Sequence, residues 1–251
     1  MDKSNTLLLS AALIIGIAAG SVLLGSSIQR FRKEDRSISV KGFAEREVKA
    51  NLAVWALKVS IPTDNLGGGS ADMENAKNKI FAFLLKNGIT EEEISQKEMQ
   101  VVDRKANPYD PQGNAGFRYI ITKTVLVRSA HVDTVFKVSQ MTDELVRAGV
   151  VMSSQNDWQN SGVSFVYTGL NTIKPAMLAE ATRNAKTAAE EFCKESGTVL
   201  GKLKKATQGL FTIVDRDDIH SSQNDGGFYS SGEKDLFKKV RVVISVEYSI
   251  E

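Results

Sequence analysis

The residue types that carry chemistry are few, and their spacing does not bring them toward a shared site. Gly67-Gly68-Gly69-Ser70 precedes a helical pattern and invites comparison with a phosphate-cradling loop. The Gly-Lys-Ser/Thr that would reach phosphate and magnesium is missing, so the run reads as a turn. Cys193 is the single cysteine, which excludes an intramolecular disulfide and a thiolate zinc cluster. It falls late in a helical pattern beside Phe192, with no histidine near it in sequence to act as a base, and reads as a packing residue. His131, at a helix start, and His220, in a polar loop, read as capping or solvated groups. Glu91-Glu92-Glu93 fits the first turn of a helix, with Thr90 and Glu93 spaced as a capping box. Asp215, Asp217 and Asp218 form the most metal-like cluster, but the glycine and terminal glutamate of a calcium loop are absent at the needed offsets. The pairs Lys204-Lys205 and Lys238-Lys239 read as solvated faces of strands or turns. No catalytic residue, cofactor or metal ligand is assigned from these residues, and the chain is not expected to be an enzyme.

Composition narrows the remaining classes. The 251 residues are 42% hydrophobic and 25% charged, ordinary values for a folded protein, which excludes collagen-like, coiled-coil and wholly disordered chains. Lys and Arg number 32 against 30 Asp and Glu, a net charge of +2, so no field draws the chain to nucleic acid.

The elements that position these residues follow from periodicity. Residues 38–48 and 52–61 read as two strands, the second dividing Val54 and Ala56 from Trp55, Leu57 and Val59. Ser70 is the predicted N-cap of a helix with Met73, Ala76, Ile80, Phe83 and Leu84 on one stripe, ended by Asn87-Gly88. Strands are predicted near 96–104 and over 117–128, around a turn-rich break at 107–116, and then a connecting helix over 132–148 with Val135, Val138, Met141 and Leu145 inward. The order then returns: a strand at 163–168, a helix capped by Asn171 or Thr172 and opened by Pro175, a strand at 203–214 interrupted by Gly209, and a strand of alternating Val240, Val242, Ile244, Val246, Tyr248 and Ile250. That second helix is predicted to bury Leu178, Ala181, Ala185, Ala188 and Phe192 until Ser196-Gly197 ends it. The fold class is α+β. Two passes through strand–helix–strand–strand suggest a pseudo-duplicated domain with antiparallel sheets covered by helices, its halves at about 37–129 and 150–251; a chance order in a mixed α+β protein is the alternative.

Ahead of this domain, residues 1–29 read as a signal-anchor or transmembrane helix, followed by a basic linker at 30–36. No charge stands between Lys3 and Arg30, and residues 7–24 read LLLSAALIIGIAAGSVLL. About 20 such residues span the ~30 Å hydrocarbon core of a bilayer. A cleaved signal normally has an apolar region of about 7–15 residues and a small-x-small site, and Gly25-Ser26-Ser27 is only an approximate one, so a retained anchor and a cleaved signal both stand. Ala12, Gly16 and Gly20 recur every fourth residue and would let a second helix approach closely in lipid, although small residues are common in membrane helices for other reasons. Arg30, Arg32, Lys33 and Arg36 could meet anionic headgroups. Taken alone, the Lys/Arg count places the following domain in the cytoplasm.

The segment 37–60, SISVKGFAEREVKANLAVWALKVS, resembles the opening strand pair of the SIMPL-domain family, with its I-x-V-x-G at Ile38, Val40 and Gly42, its E-x-x-V at Glu45 and Val48, and its A-x-x-x-x-x-V at Ala53 and Val59. The segment 179–201, AEATRNAKTAAEEFCKESGTVLG, is similar to that family's alanine-rich helix with its terminal G-x-x-L-G. The resemblance runs from about Ser37 to Glu251, and its motifs are packing patterns rather than chemistry. One departure is Ala50-Asn51, where the family pattern has Pro-Asp, which bears on the first turn. The resemblance implies a bacterial envelope protein, periplasmic or membrane-fixed, without catalytic residues to carry over; some relatives are linked to oxidative-stress tolerance, and one to a large channel-like oligomer.

The expectation is therefore a non-enzymatic, single-pass membrane protein with its large domain in the periplasm, opposite to the Lys/Arg count, partnered by lipid and by its own copies in a ring or cage. A periplasmic module binding a small ligand or stress factor, as monomer or dimer through the loops at 107–116 and 217–235, is the alternative.

Overall fold

The computed structural model of the chain describes residues 36–106, 116–153, 162–217 and 234–251. The helix expected over 1–29 and most of the basic linker fall outside the described residues, as do His220 and Asp218. Among the described residues no helix is long and apolar enough to cross a membrane.

The described fold is mixed α+β with antiparallel sheets. In chain order the elements are strands β1 (Ser37–Lys49) and β2 (Leu52–Thr63), helix α1 (Leu66–Lys86), strands β3 (Ile94–Gln96), β4 (Gln100–Asp103) and β5 (Tyr119–Ser129), helices α2 (Val132–Ser139) and α3 (Asp143–Arg147), strand β6 (Val163–Val166), helix α4 (Leu170–Ser196), and strands β7 (Leu200–Asp215) and β8 (Phe237–Ile250). Residues 36–106 and their successors divide into two compact units, each assembled from separate segments.

The larger unit runs from Arg46–Ile173 and Thr212–Val240. Its sheet has the order β3-β5-β2-β6, with β4 also on β5. The β2–β5 register is antiparallel and continuous from Ala53 opposite Ser129 to Thr63 opposite Tyr119. Period-two alternation sends Ala53, Trp55, Leu57 and Val59 inward to meet Ile80 and Leu84 of α1, Val125 and Val127 of β5, and Val135 and Leu145 of α2 and α3. Each fully buried Leu or Ile contributes about 2 kcal/mol of hydrophobic stabilisation.

The expected stripe Met73, Ala76, Ile80, Phe83 and Leu84 is buried, and Gly88, at φ 86°, ends α1 in the left-handed conformation. The start of α1 differs from expectation. Asn65, not Ser70, is the cap, its Oδ1 accepting from the amides of Gly67 at 3.0 Å and Gly68 at 3.4 Å. The three glycines therefore form the first turn of the helix, and Gly69 is there because a Cβ would come within 2.9 Å of Ile121. The expected single connector helix is two: after Ser139 the amides of Gln140 and Met141 bond three residues back, to Lys137 and Val138, and this tight turn breaks the ladder. Met141 is consequently exposed.

The smaller unit comprises residues up to Glu45, Lys174–Phe211 and Arg241–Glu251. Its strands belong to a three-stranded sheet of order β1-β8-β7. The carbonyl of Arg36 accepts from Ile250, and Val199 and Glu251 exchange both backbone bonds, which sets β8 antiparallel to each neighbour. Helix α4 buries Met177, Ala181, Ala185, Ala189 and Cys193, a pure i+4 series. Phe192 is exposed, so the inward stripe lies one position from the expected Ala188–Phe192 line. The reason is steric. Gly42 of β1 lies so near this helix that a Cβ would run into the Ala181 carbonyl and sit 2.6 Å from the Ala185 Cβ, a separation only alanine-sized residues permit. Helix α4 begins at Leu170 rather than at Pro175, and β7 passes through Gly209 without interruption.

Candidate functional site

Among the described residues, one serine, one histidine and one carboxylate do meet. Thr90 introduces the 3-10 turn Glu91–Glu93, a single turn rather than the longer helix expected. The Glu93 side chain reaches back as the capping box requires: Oε2 accepts from the Thr90 amide at 2.9 Å and its hydroxyl at 3.2 Å. Oε1 accepts from the hydroxyl of Ser129, at the end of β5, at 2.5 Å, and faces His131 Nδ1 at 3.2 Å. Ser129 Oγ in turn accepts the His131 amide at 2.8 Å, at the entry to α2.

These residue types resemble those of a hydrolytic triad, but their order does not. A nucleophilic serine must give its proton to an imidazole that a carboxylate orients. Here the Ser129 hydroxyl donates its hydrogen bond to the carboxylate and the residue is only 2% exposed, while the His131 side chain, 78% exposed, faces the carboxylate instead. The cluster joins a turn, a strand end and a helix start, and no reacting atom could sit between base and nucleophile. Burial pushes the Glu93 carboxyl up, but the bonds from Ser129, the Thr90 amide, His131 and the Thr90 hydroxyl outweigh it and hold the group at about 2.

The aspartate cluster of the β7–β8 hairpin separates. Asp217 faces outward and pairs with its neighbour Arg216 at 3.2 Å. Asp215 turns inward, accepting from the ammonium of Lys238 and from the amides of Lys234 at 3.1 Å and Asp235 at 3.2 Å. Lys238 is therefore not a solvated lysine: at 1% exposure it is among the most deeply buried side chains of the larger unit. Among the described residues, Asp235 Oδ2 is buried without a hydrogen bond. No three His, Cys, Asp or Glu side chains converge to hold a metal among the described residues.

Of the headgroup candidates only Arg36 is described; it is exposed at the start of β1. Ala12, Gly16, Gly20, Arg30, Arg32 and Lys33 lie outside the described residues. Cys193 is buried on the inner face of α4. On the outer face of the smaller unit, Arg241 lies 5.7 Å over the Phe43 ring and 3.4 Å from Glu45. From Lys202 to Leu210 every residue of β7 is exposed, and β7 ends the sheet. Leu203 and Leu210 are the large apolar members, at 54% and 75% exposure. Sequence reading missed this surface because an alternating valine strand and a lysine-rich strand both look half-buried until the helix that covers them is placed.

The family model described as SIMPL, protein of unknown function (DUF541), matches residues 38–247. No curated protein matches the chain. The chain belongs to the SIMPL family.

Proposed function

We propose that this SIMPL-family chain is a non-enzymatic envelope protein, anchored by its N-terminal apolar segment, whose domain works by associating with copies of itself in a ring or cage. One observation carries the reading: among the described residues, polar groups that could do chemistry, such as Glu93, Ser129 and Asp215, are held in caps and ion pairs, whereas β7 stands at the end of its sheet with exposed leucines. Sheet edges of that length are covered or blunted in most monomers, because unpaired backbone groups recruit further strands. A surface of this kind serves contacts rather than turnover. The uncharged run between Lys3 and Arg30 supports an anchor, and membership of the SIMPL family, against the Lys/Arg count, favours the periplasm for the large domain. The order β6, α4, β7, β8 after the first β1–β5 set supports the pseudo-duplicated reading.

Protease treatment of spheroplasts tests the placement: loss of the domain supports the periplasm, and survival of the domain assigns it to the cytoplasm. Light scattering on the detergent-solubilised chain tests the association.

A further inference from the structure

The C-terminal cap of α1 holds the chain's one Asn-Gly pair, Asn87-Gly88. Asparagine before glycine is open to a reaction that needs no enzyme, because no side chain shields the glycine nitrogen. The Gly88 amide, having lost its proton, attacks Asn87 Cγ; the N–Cγ bond forms, the Cγ–Nδ2 bond breaks, and ammonia leaves with the proton. Water then opens the succinimide. Breaking N–Cγ gives aspartate, whereas breaking the bond from that nitrogen to the Asn87 main-chain carbonyl carbon gives isoaspartate, whose backbone runs through the side chain.

The folded cap opposes ring closure at several atoms. It is a Schellman motif: the Gly88 amide donates to the Leu85 carbonyl at 3.2 Å and the Ile89 amide to the Leu84 carbonyl at 3.1 Å, with Gly88 at φ 86°. The proton that must leave is therefore engaged. Closure also needs the Gly88 nitrogen eclipsed with Asn87 Cβ about the Cα–C bond, but ψ of Asn87 is 15°, which turns that nitrogen toward the Asn87 nitrogen instead. Asn87 Nδ2, the leaving group, donates to the Phe83 carbonyl at 2.8 Å. Ile89 and Leu84 are both buried in the core, so the cap does not rotate open without drawing Ile89 out of it.

We infer that Asn87-Gly88 is a self-modification site gated by this cap, inert while α1 is capped and converted to aspartate or isoaspartate once the cap opens. The change prevents the same cap from re-forming. An ionised aspartate has no proton to donate to the Phe83 carbonyl and sets a negative charge against the carbonyl end of the helix. Isoaspartate adds a methylene to the backbone within the motif. Chemical modification of the opened form thus makes a reversible opening irreversible.

Trypsin releases residues 87–97 as one peptide, cut after Lys86 and Lys97. Deamidation makes it heavier by about 1 Da. The test incubates the full-length protein in detergent at mildly alkaline pH, folded and in concentrated urea, and follows that peptide by mass and chromatography. Modification in urea is expected, with a rate at least about tenfold lower in the folded protein, as for a group reached only through local opening. Ile89→Val trims the buried anchor and is expected to raise the folded-state rate about threefold or more while leaving the rate in urea unchanged. Equal rates in the two states, or a folded-state rate that Ile89→Val does not move, overturn the gate. An unmodified peptide after incubation in urea overturns the site. Asn87→Asp reproduces one product and is expected to unfold at a lower urea concentration than the parent; equal stability overturns the claim that modification locks the cap open.

Discussion

Asp215 and Lys238 form an ion pair sealed inside the larger unit, at the base of the β7–β8 hairpin. Removing one partner of a buried pair leaves an uncompensated charge and costs about 3–5 kcal/mol, whereas an apolar replacement of similar shape costs much less. Asp215→Ala removes the carboxylate that pairs with the buried ammonium and also frees the amides of Lys234 and Asp235. Urea unfolding is expected to show a loss of about 3–5 kcal/mol for Asp215→Ala and a smaller one for Lys238→Met.

Glu93 makes stability depend on pH in a defined direction. Its carboxyl is held at about 2 in the folded protein against 4.5 for the free group, so the unfolded chain takes up the proton first. The stabilisation, roughly 3 kcal/mol from that shift, is complete above pH 4.5 and is lost as pH falls toward 2. The stability difference between the protein and Glu93→Gln should thus be largest at neutral pH and shrink steadily below pH 4.5; a difference that grows on acidification contradicts the assignment.

Gly42 has no room for a methyl group under α4. Gly42→Ala forces the strand and helix apart and is expected to cost at least about 2 kcal/mol, like other overpacked sites. Gly67→Ala, at an exposed position whose added Cβ would meet only Asn65 Oδ1 at 3.5 Å, is expected to be neutral or stabilising. Thermal unfolding of the two variants compares them directly.

The Ala50-Asn51 departure from the family's Pro-Asp has a local reading. The Ala50 amide donates to the Leu236 carbonyl at 2.9 Å, a bond that proline cannot make. Asn51 Oδ1 accepts from the amide and hydroxyl of Thr168 at 2.8 and 3.1 Å, a role an aspartate oxygen fills equally. Ala50→Pro is expected to cost about 1 kcal/mol or more and Asn51→Asp close to nothing, by chemical denaturation.

Much of this architecture was readable from periodicity. The stripe of α1, the alternation of β2 and β8 and the glycine ends of both long helices need only local sequence, and all are found. Helix starts were less readable, because Asn65 caps through a side chain whose role depends on the chain reversing after Thr63. The rotation of α4 follows from Gly42, more than a hundred residues distant, and no window on the helix contains it. Lys238 is the instructive miss. It shares the parity of Val240, Val242 and Ile244, so the alternation already assigned it to the buried face, but its charge argued for solvent and Asp215 was not recognised as the partner. The Ser129–Glu93–His131 cluster was invisible because its members come from three separate elements, although the Thr90–Glu93 spacing marked one corner.

The central proposal is association of identical chains, and the molar mass of the full-length protein in detergent tests it most directly. One chain is 27.4 kDa. Light scattering corrected for bound detergent should report a protein mass at least twice that value across the elution peak. A constant mass of one chain, at concentrations where the protein stays folded, contradicts the proposal.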